Sequence, residues 1–255
     1  MPRALLLSPH LDDAAFSCGA TAATLAAAGW SVTLVTVFTQ SVPDPQGFAL
    51  ECQTSKGLPA SVDYMKLRRA EDAAAAVAMG CDSVQWWPFL EAPHRGYGSP
   101  AELFEPVRDD DRIDGLSERI EDAVGSLVPE LVLLPQCWGR HVDHVQMVRA
   151  AVRHLPPAIG WWVDQPYALR AEPTPPPEEC VQLFGSLPDA AISPSAGRET
   201  KLDACAAYAS QLGFQFGDAA AMRAALSETP ERFHLTPAAV ELLSSVVDLD
   251  PVTAG

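Results

Sequence analysis

Two short segments of the chain carry side chains of the kinds that bind divalent metals. Residues 10–13 read His-Leu-Asp-Asp, and residues 141–144 read His-Val-Asp-His. Zinc in a hydrolytic site takes about three protein ligands from histidine and carboxylate and leaves one position for water. A bound zinc lowers the pKa of that water to roughly 7, so hydroxide becomes available near neutral pH. The two segments together predict a metal-dependent hydrolytic site.

The ligand set that this chemistry requires is present once across the two segments. His10, Asp13 and His144 supply two imidazoles and one carboxylate, and we expect them to bind zinc (Zn2+). Histidine and carboxylate sets also accept other divalent ions, so Fe2+ is an alternative.

The remaining polar residues of the two segments suit supporting and catalytic roles. Asp12 is adjacent to a predicted ligand and is placed to take a proton from the attacking water. His141 is suited to stabilising a developing oxyanion or to donating a proton to a leaving amine. Asp143 is suited to fixing the ring orientation of a neighbouring histidine.

Each segment also has a purely structural interpretation. Asp12 and Asp13 are good candidates for capping the first helix, because acidic residues are common at helix N-termini. His141 and His144 are equally compatible with the exposed first turn of a later helix. The occurrence of both segments after predicted strands favours the metal site.

The order of predicted elements indicates an α/β fold, because strands alternate with helices along most of the chain. Residues 39–61 and 88–112 form two long irregular segments. The predicted strands are 3–7, 32–38, 83–87, 131–134, 159–163 and 181–184, and the predicted helices are 14–28, 63–79, 114–127, 142–154, 198–212 and 219–226.

Such alternation predicts a mostly parallel sheet within one domain that spans residues 1–255. Ligands bind at the carboxyl edge of these sheets, near the point where the strand order reverses. The segments to inspect are therefore those after Leu7, Phe38, Trp87 and Leu134. The two metal-type segments follow the first and the last of these strands, so we expect them to meet at one edge.

Composition and charge exclude several other classes. The net charge of −16 and the isoelectric point of about 4.6 argue against nucleic-acid binding. Six scattered cysteines form no CxxC pair, as is typical of free thiols in a reducing compartment. No secretory signal or membrane-length apolar run is present, so we expect a cytoplasmic protein with no membrane partner. Neither GxGxxG nor GxSxG occurs, so neither a nicotinamide cofactor nor a serine nucleophile has support.

The two segments resemble the LmbE/PIG-L family of zinc-dependent N-acetyl-sugar deacetylases. Relatives carry His-Pro-Asp-Asp-Glu after the first strand and His-x-x-His later, and here Leu11 and Ala14 replace the proline and the glutamate. The Arg-x-x-Glu segment at residues 68–71, the turn at 164–168 and the Ser-Gln pair at 210–211 extend the similarity. The resemblance implies a Rossmann-like three-layer sandwich, the ligand and catalytic roles given above, and a substrate contact for Arg68.

The function implied by this resemblance is removal of an N-acyl group, expected to be acetyl, from an amino sugar or glycoconjugate. A small-molecule substrate is the expected partner, and a homo-oligomer is compatible with the sequence. Two alternatives remain open at this level. One is a zinc amidase acting on a thiol–sugar conjugate or another natural-product amide, and the other is a non-catalytic, metal-stabilised sugar-binding module.

Overall fold

One eight-stranded sheet organises the computed structural model, which describes residues 1–192 and 197–252. The strand order is β3-β2-β1-β4-β5-β7-β6-β8, and the first five strands are parallel. The remaining three are joined by antiparallel pairing. The strands are β1 (Arg3–Ser8), β2 (Ser31–Thr36), β3 (Ser83–Trp86), β4 (Leu131–Pro135), β5 (Ile159–Trp162), β6 (Asp189–Ile192), β7 (Glu231–Leu235) and β8 (Leu249–Pro251).

Helices cover both faces of the sheet, which confirms the predicted three-layer α/β architecture. Within the described residues they are α1 (Asp13–Ala27), α2 (Gly47–Thr54), α3 (Tyr64–Ala78), α4 (Leu116–Leu127), α5 (Val142–Ala151), α6 (Glu178–Phe184), α7 (Arg198–Ala206), α8 (Ala209–Gln215), α9 (Ala219–Ser227) and α10 (Pro237–Leu243). None of these helices has the length and apolar character needed to cross a membrane.

The central strands are apolar on both faces because each face packs against a helical layer. Along β1, Leu6 packs into one hydrophobic cluster, while Leu5 and Leu7 pack into the other. Successive side chains of a strand point to opposite faces, so a strand between two layers needs apolar residues at every position. This double burial is the reason that β1 and β4 are continuous apolar runs.

The strand order reverses between β1 and β4. From β1 the chain continues outward to β2 and β3, and it then returns to place β4 on the other side of β1. Loops that leave adjacent strands in opposite directions open a crevice at the carboxyl edge. Residues 10–13 follow β1 and residues 141–144 follow β4, so the fold places both at this crevice.

Helix α3 is tied to the sheet by a buried carboxylate on its inner face. Asp72 accepts hydrogen bonds from the Thr36 hydroxyl at 3.0 Å, the Trp86 indole at 2.8 Å and the Tyr208 hydroxyl at 2.6 Å. Burial raises the pKa of Asp72, while these hydrogen bonds act to lower it. The same helix carries Arg68 one turn earlier, so this anchor also fixes the position of Arg68.

The prediction of a strand at residues 181–184 is wrong, because these residues belong to helix α6. Cys180 and Phe184 are buried four residues apart, and this spacing puts both on one helical face. Pro177 precedes the helix in an extended conformation and cannot itself donate to a strand partner.

Other differences lie in the irregular segments and near the C-terminus. The predicted loop at 39–61 contains α2, and the predicted helix at 198–212 is two helices separated at residues 207–208. Strands β6, β7 and β8 and helix α10 were not predicted from the sequence. These strands are short and partly exposed, so they lack the continuous apolar pattern of β1 and β4. The predicted domain of residues 1–255 includes 193–196 and 253–255, which lie outside the described residues.

Candidate metal centre

A cavity of about 360 Å³ lies at the carboxyl edge of the sheet. Its polar floor contains residues from both predicted segments. These are His10, Asp12 and Asp13 from the loop after β1, and His141 and Asp143 from the loop after β4. The fold thus brings the two segments into one cavity, as the topology predicted.

The three predicted ligands, His10, Asp13 and His144, lie close to one another. Asp13 Oδ2 lies 3.2 Å from His10 Nδ1 and 3.2 Å from His144 Nε2. The two ring nitrogens are 3.3 Å apart. All three side chains are buried. Three ligand atoms therefore form a nearly equilateral triangle at the floor of the cavity.

Hydrogen bonds in the turn after β1 hold His10 and Asp13 on the same side of the chain. The Ser8 hydroxyl donates to the His10 carbonyl at 2.8 Å and accepts from the Ala14 amide at 3.1 Å. Asp13 begins α1, and its Oδ2 accepts from the backbone amide of His10 at 2.8 Å. The chain therefore folds back on itself, which aims both side chains in the same direction.

The outward nitrogen of His10 is held by a carboxylate from the other segment. His10 Nε2 lies 2.9 Å from Asp143 Oδ2, which also accepts from the Ala92 amide at 3.1 Å. Asp143 Oδ1 accepts from Arg95 at 2.6 Å. Because Asp143 accepts from Nε2, the lone pair of Nδ1 is directed at the triangle. The Asp143 carboxylate thus pairs with His10 of the other segment, and the same Oδ2 lies farther from His141 Nδ1, at 3.9 Å.

His144 is supported by a carboxylate that the sequence did not single out. His144 Nδ1 lies 2.9 Å from Asp164 Oδ1, and Asp164 Oδ2 accepts from the Trp138 amide at 3.0 Å. Asp164 lies in the loop after β5. The family resemblance includes the turn at residues 164–168 but gives Asp164 no role, so the contact with His144 is a finding of the structure.

His141 lies beside the triangle and makes a different hydrogen bond. Ring nitrogens of His10, His141 and His144 all lie within 4.8 Å of one another. A site made of these three histidines is therefore a second geometric arrangement. However, His141 caps α5, and its Nδ1 accepts from the Asp143 amide at 3.2 Å. A neutral ring that accepts at Nδ1 carries its proton on Nε2, which makes Nε2 a donor. The set with Asp13 is the tighter of the two.

The electrostatics of the triangle favour positive charge. Burial opposes charge on the two rings, yet Asp13 and Asp143 raise the pKa of His10 well above its ordinary value. Against the same burial, Asp13 and Asp164 raise the pKa of His144 to about 9. Burial alone would raise the pKa of Asp13, but His144 and His10 hold it well below the usual range. The buried carboxylates therefore create a site that attracts a cation.

Asp12 and Arg68 lie together on the cavity floor. Burial raises the pKa of Asp12 to about 7, although the Arg68 guanidinium acts to lower it. Arg68 donates to Glu91 at 2.7 Å and to the Leu11 carbonyl at 3.3 Å, and it lies 3.5 Å from Asp12. Arg68 is only 5% exposed, so it does not lie on the solvated face of α3.

The loop before His141 is shaped by residues with positive φ. Cys137, Gly139 and Arg140 have φ values of 71°, 84° and 64°. A side chain at Gly139 would place its Cβ 2.5 Å from the Tyr167 ring, so only glycine fits there. Tyr167 consequently packs close to the loop and lines the cavity.

The upper walls of the cavity are apolar and aromatic. Phe48, Tyr64, Phe104 and Phe214 line them together with Tyr167. Trp87 is buried in the core, and neither it nor Trp138 lines the cavity formed by the described residues. The aromatic rings of the cavity come instead from α2, α3, α8 and the segments after β3 and β5.

Comparison with known proteins agrees with this arrangement. The family model for PIG-L, GlcNAc-PI de-N-acetylase, matches residues 5–155. The chain is 31% identical over 214 residues to 2'-N-acetylparomamine deacetylase from Streptomyces fradiae, covering 82% of this chain and 73% of that protein.

Solved structures show the same fold. A zinc-inhibited form of teicoplanin deacetylase aligns with a TM-score of 0.71 at 23% identity, over 91% of this chain and 97% of that one. The antimicrobial-reagent pseudoaglycone deacetylase Dbv21 aligns with a TM-score of 0.69 at 26% identity, over 99% of both chains.

The chain belongs to the PIG-L family of deacetylases. The family match spans both metal-type segments and the strands that position them. It confirms the resemblance predicted from those segments, and it confirms the enzyme class, a hydrolytic N-deacetylase. The non-catalytic sugar-binding alternative has no support from these relatives.

Proposed function

We propose that this protein is a zinc-dependent hydrolase that removes the N-acetyl group from an amino sugar within a glycoconjugate. The reaction converts an amide and water into a free amine and acetate. In this proposal His10, Asp13 and His144 bind the metal, Asp12 is the general base, His141 stabilises the oxyanion, and Arg68 contacts the substrate.

The observation that carries the proposal is the spacing of the three ligand atoms. Two ligands bound to zinc at about 2.0–2.2 Å in tetrahedral geometry are separated by roughly 3.3–3.5 Å. The three atom pairs here are 3.2, 3.2 and 3.3 Å apart. A divalent ion therefore fits above this triangle with little side-chain movement, and the residues present suit the metal.

The protein groups around the triangle supply the remaining chemistry. A bound zinc ion would act as a Lewis acid toward the amide and the attacking water. Asp12 lies on the same floor and takes the proton from the attacking water. The Nε2–H of His141 donates to the carbonyl oxygen as negative charge develops on it. The protonated Asp12 or His141 then delivers a proton to the leaving nitrogen as the C–N bond breaks, which releases the amine and acetate.

The substrate class is supported by the shape and lining of the cavity. The aromatic rings of the walls offer flat apolar surfaces on which sugar faces pack. Arg68 lines the same cavity beside Asp12, so its guanidinium is placed to contact a substrate there. Relatives named for paromamine and pseudoaglycone deacetylation point in the same direction.

The proposal is tested with metal-free protein to which one equivalent of Zn2+ is added. Release of primary amine is measured on an N-acetylglucosamine glycoside, an N-acetylated aminoglycoside fragment and a thiol–sugar amide. We expect zinc-dependent deacetylation of at least one acetylated sugar. Zinc-dependent turnover of the thiol–sugar amide alone would favour the amidase alternative. No dependence of turnover on any added divalent metal would contradict the proposal.

A further inference from the structure

We infer that Arg95 is a positioning residue for the metal centre, acting through Asp143 on His10. The inference rests on the ligand set of the proposed function. Arg95 lies in the segment of residues 88–112, which the sequence predicted to be irregular. In the structure its side chain is only 10% exposed, so it is held inside the protein.

The guanidinium of Arg95 is bound on both of its sides. Its Nη1 donates to Asp143 Oδ1 at 2.6 Å and to the Leu90 carbonyl at 2.7 Å. Its Nε and Nη2 donate to the two oxygens of Asp111 at 2.8 and 2.9 Å. This two-point pairing uses the planar fork that distinguishes arginine from lysine. The guanidinium therefore has one defined orientation.

The second carboxylate is itself fixed, and it is fixed to the helix that carries Asp143. The Tyr97 hydroxyl donates to Asp111 Oδ2 at 3.0 Å. The side-chain amide of Gln146, on α5, donates to the backbone carbonyl of Asp111. Residues 143 and 146 lie one turn apart on α5, so the chain Asp143–Arg95–Asp111–Gln146 begins and ends on the same helix. A closed ring of this kind resists movement of any single member.

Both carboxylate oxygens of Asp143 accept hydrogen bonds, and this links Arg95 to the metal centre. Its Oδ1 is held by Arg95, and its Oδ2 is shared by the Ala92 amide and His10 Nε2. Asp143 is fully buried, so no solvent can replace a lost partner. Without Arg95, one oxygen loses its donor and the carboxylate is free to rotate. The His10 ring then loses the contact that directs Nδ1 at the metal site.

An aromatic ring couples the same two groups from another side. The Arg95 guanidinium lies 5.4 Å from the centre of the Phe38 ring. Phe38 in turn packs against the His10 ring, with the centroids 6.0 Å apart. Arg95 and His10 are therefore positioned against one common side chain as well as through Asp143. This second contact assigns the same role to Arg95 independently of the carboxylates.

The test compares Arg95→Met and Arg95→Lys with the matched control Arg108→Met. Arg108 lies in the same segment, stacks on Tyr97 at 4.1 Å and donates to the carbonyls of Gly96 and Arg95, but it makes no contact with Asp143. For each full-length variant, affinity for Zn2+ and Co2+ is measured by competition with a chelator. The melting temperature of the metal-free protein is measured in parallel.

We expect Arg95→Met to weaken metal affinity by about 10- to 100-fold, which is the usual effect of losing an outer-shell partner. Arg95→Lys keeps the positive charge but not the two-point pairing with Asp111. Its metal affinity is expected to lie between those of Arg95→Met and the parent protein. Excess metal should restore kcat in both variants, with KM unchanged. Arg108→Met should retain parental affinity.

Parental metal affinity in Arg95→Met would overturn the inference. An equal loss in Arg108→Met would also overturn it, because the effect would then reflect the folding of the segment. A parent protein with no affinity for either ion would contradict the proposed function itself and this inference with it, and the parent titration alone detects that case.

Discussion

The two histidines of the proposed metal site are oriented in contrasting ways. His10 presents Nδ1 to the triangle and its Nε2 is held by Asp143, whereas His144 presents Nε2 and its Nδ1 is held by Asp164. Besides the Ala92 amide, Asp143 depends on a side chain from a distant segment, Arg95. Asp164 depends on a backbone amide, that of Trp138.

The orientation of a histidine ring is thus fixed in two ways, through a carboxylate held by a guanidinium and through a carboxylate held by a backbone amide. Both carboxylates fix a ring and its tautomer, as is usual for histidine ligands. A backbone amide is provided by the loop itself and survives almost any substitution. A guanidinium held by a second carboxylate can be removed by one substitution. The His10 side of the site is therefore the more sensitive to changes outside the motif.

The largest effect is expected from removing either histidine, because both are proposed as direct metal ligands. His10→Ala and His144→Ala each remove a ligand, so both variants should lose metal binding and turnover together. The measurement is zinc content after dialysis, paired with amine release. If one variant retained stoichiometric zinc and turnover while the other did not, the two histidines would not be equivalent ligands.

Asp12→Asn is a reference variant, because Asp12 is proposed as the general base and not as a support for either histidine. The variant should retain zinc and lose turnover by on the order of 10²- to 10⁴-fold, because a general base contributes that much. Metal content and kcat are measured on the same preparation. Turnover at the parental rate would exclude Asp12 as the base.

Removal of the two supporting charges tests the comparison directly. Asp143→Asn and Asp164→Asn should each weaken zinc affinity by about 10- to 100-fold. The Asp143 variant should also leave Arg95 without one of its two carboxylate partners, so its metal-free form should melt at a lower temperature than that of the Asp164 variant. Differential scanning fluorimetry measures this difference, and the reverse order would contradict the proposed asymmetry.

The loops that precede the two histidine segments should differ in tolerance. Gly139→Ala, on the His144 side, places a side chain at positive φ and against Tyr167. The left-handed conformation costs about 1–2 kcal/mol and overpacking about 1–3 kcal/mol more. Chemical denaturation should show this loss of unfolding free energy. Parental stability would mean that the loop relaxes away from Tyr167.

The smallest effect is expected from Ser8→Ala on the His10 side. The change leaves the His10 carbonyl and the Ala14 amide without their shared partner, which costs about 1–3 kcal/mol for buried groups. The same denaturation experiment measures it, with zinc affinity as the second readout. A loss larger than that of Gly139→Ala would reverse the expected order of the two loops.

The sequence predicted those parts of the fold and site that depend on local pattern. Continuous apolar runs located β1 and β4, and the topology rule placed residues 10–13 and 141–144 at one edge. The segment 88–112 contains only two short 3-10 helices, Ala92–Arg95 and Glu102–Phe104, so nothing in its local pattern indicated that Arg95 contacts Asp143. The contact depends on a chain reversal that brings residues 48 positions apart together. Asp164 belongs to a turn that the resemblance included, but its contact joins it to a residue 20 positions away, and no local pattern indicated that pairing.

The antiparallel part of the sheet shows the same limit. In β7, buried and exposed residues alternate, but the strand is only five residues long, so its pattern is too short to distinguish it from a loop. Its place beside β5 is set by long-range pairing, which a local pattern does not encode. By contrast, β1 is buried on both faces and was recognisable from its own residues.

A crystal structure of the zinc-loaded protein, with the metal located by anomalous scattering, tests the central claim most directly. The account predicts one zinc ion bound by His10 through Nδ1, His144 through Nε2 and an oxygen of Asp13, with both outward nitrogens still on Asp143 and Asp164. Zinc bound by His141 in place of Asp13, or by His10 through Nε2, would contradict it.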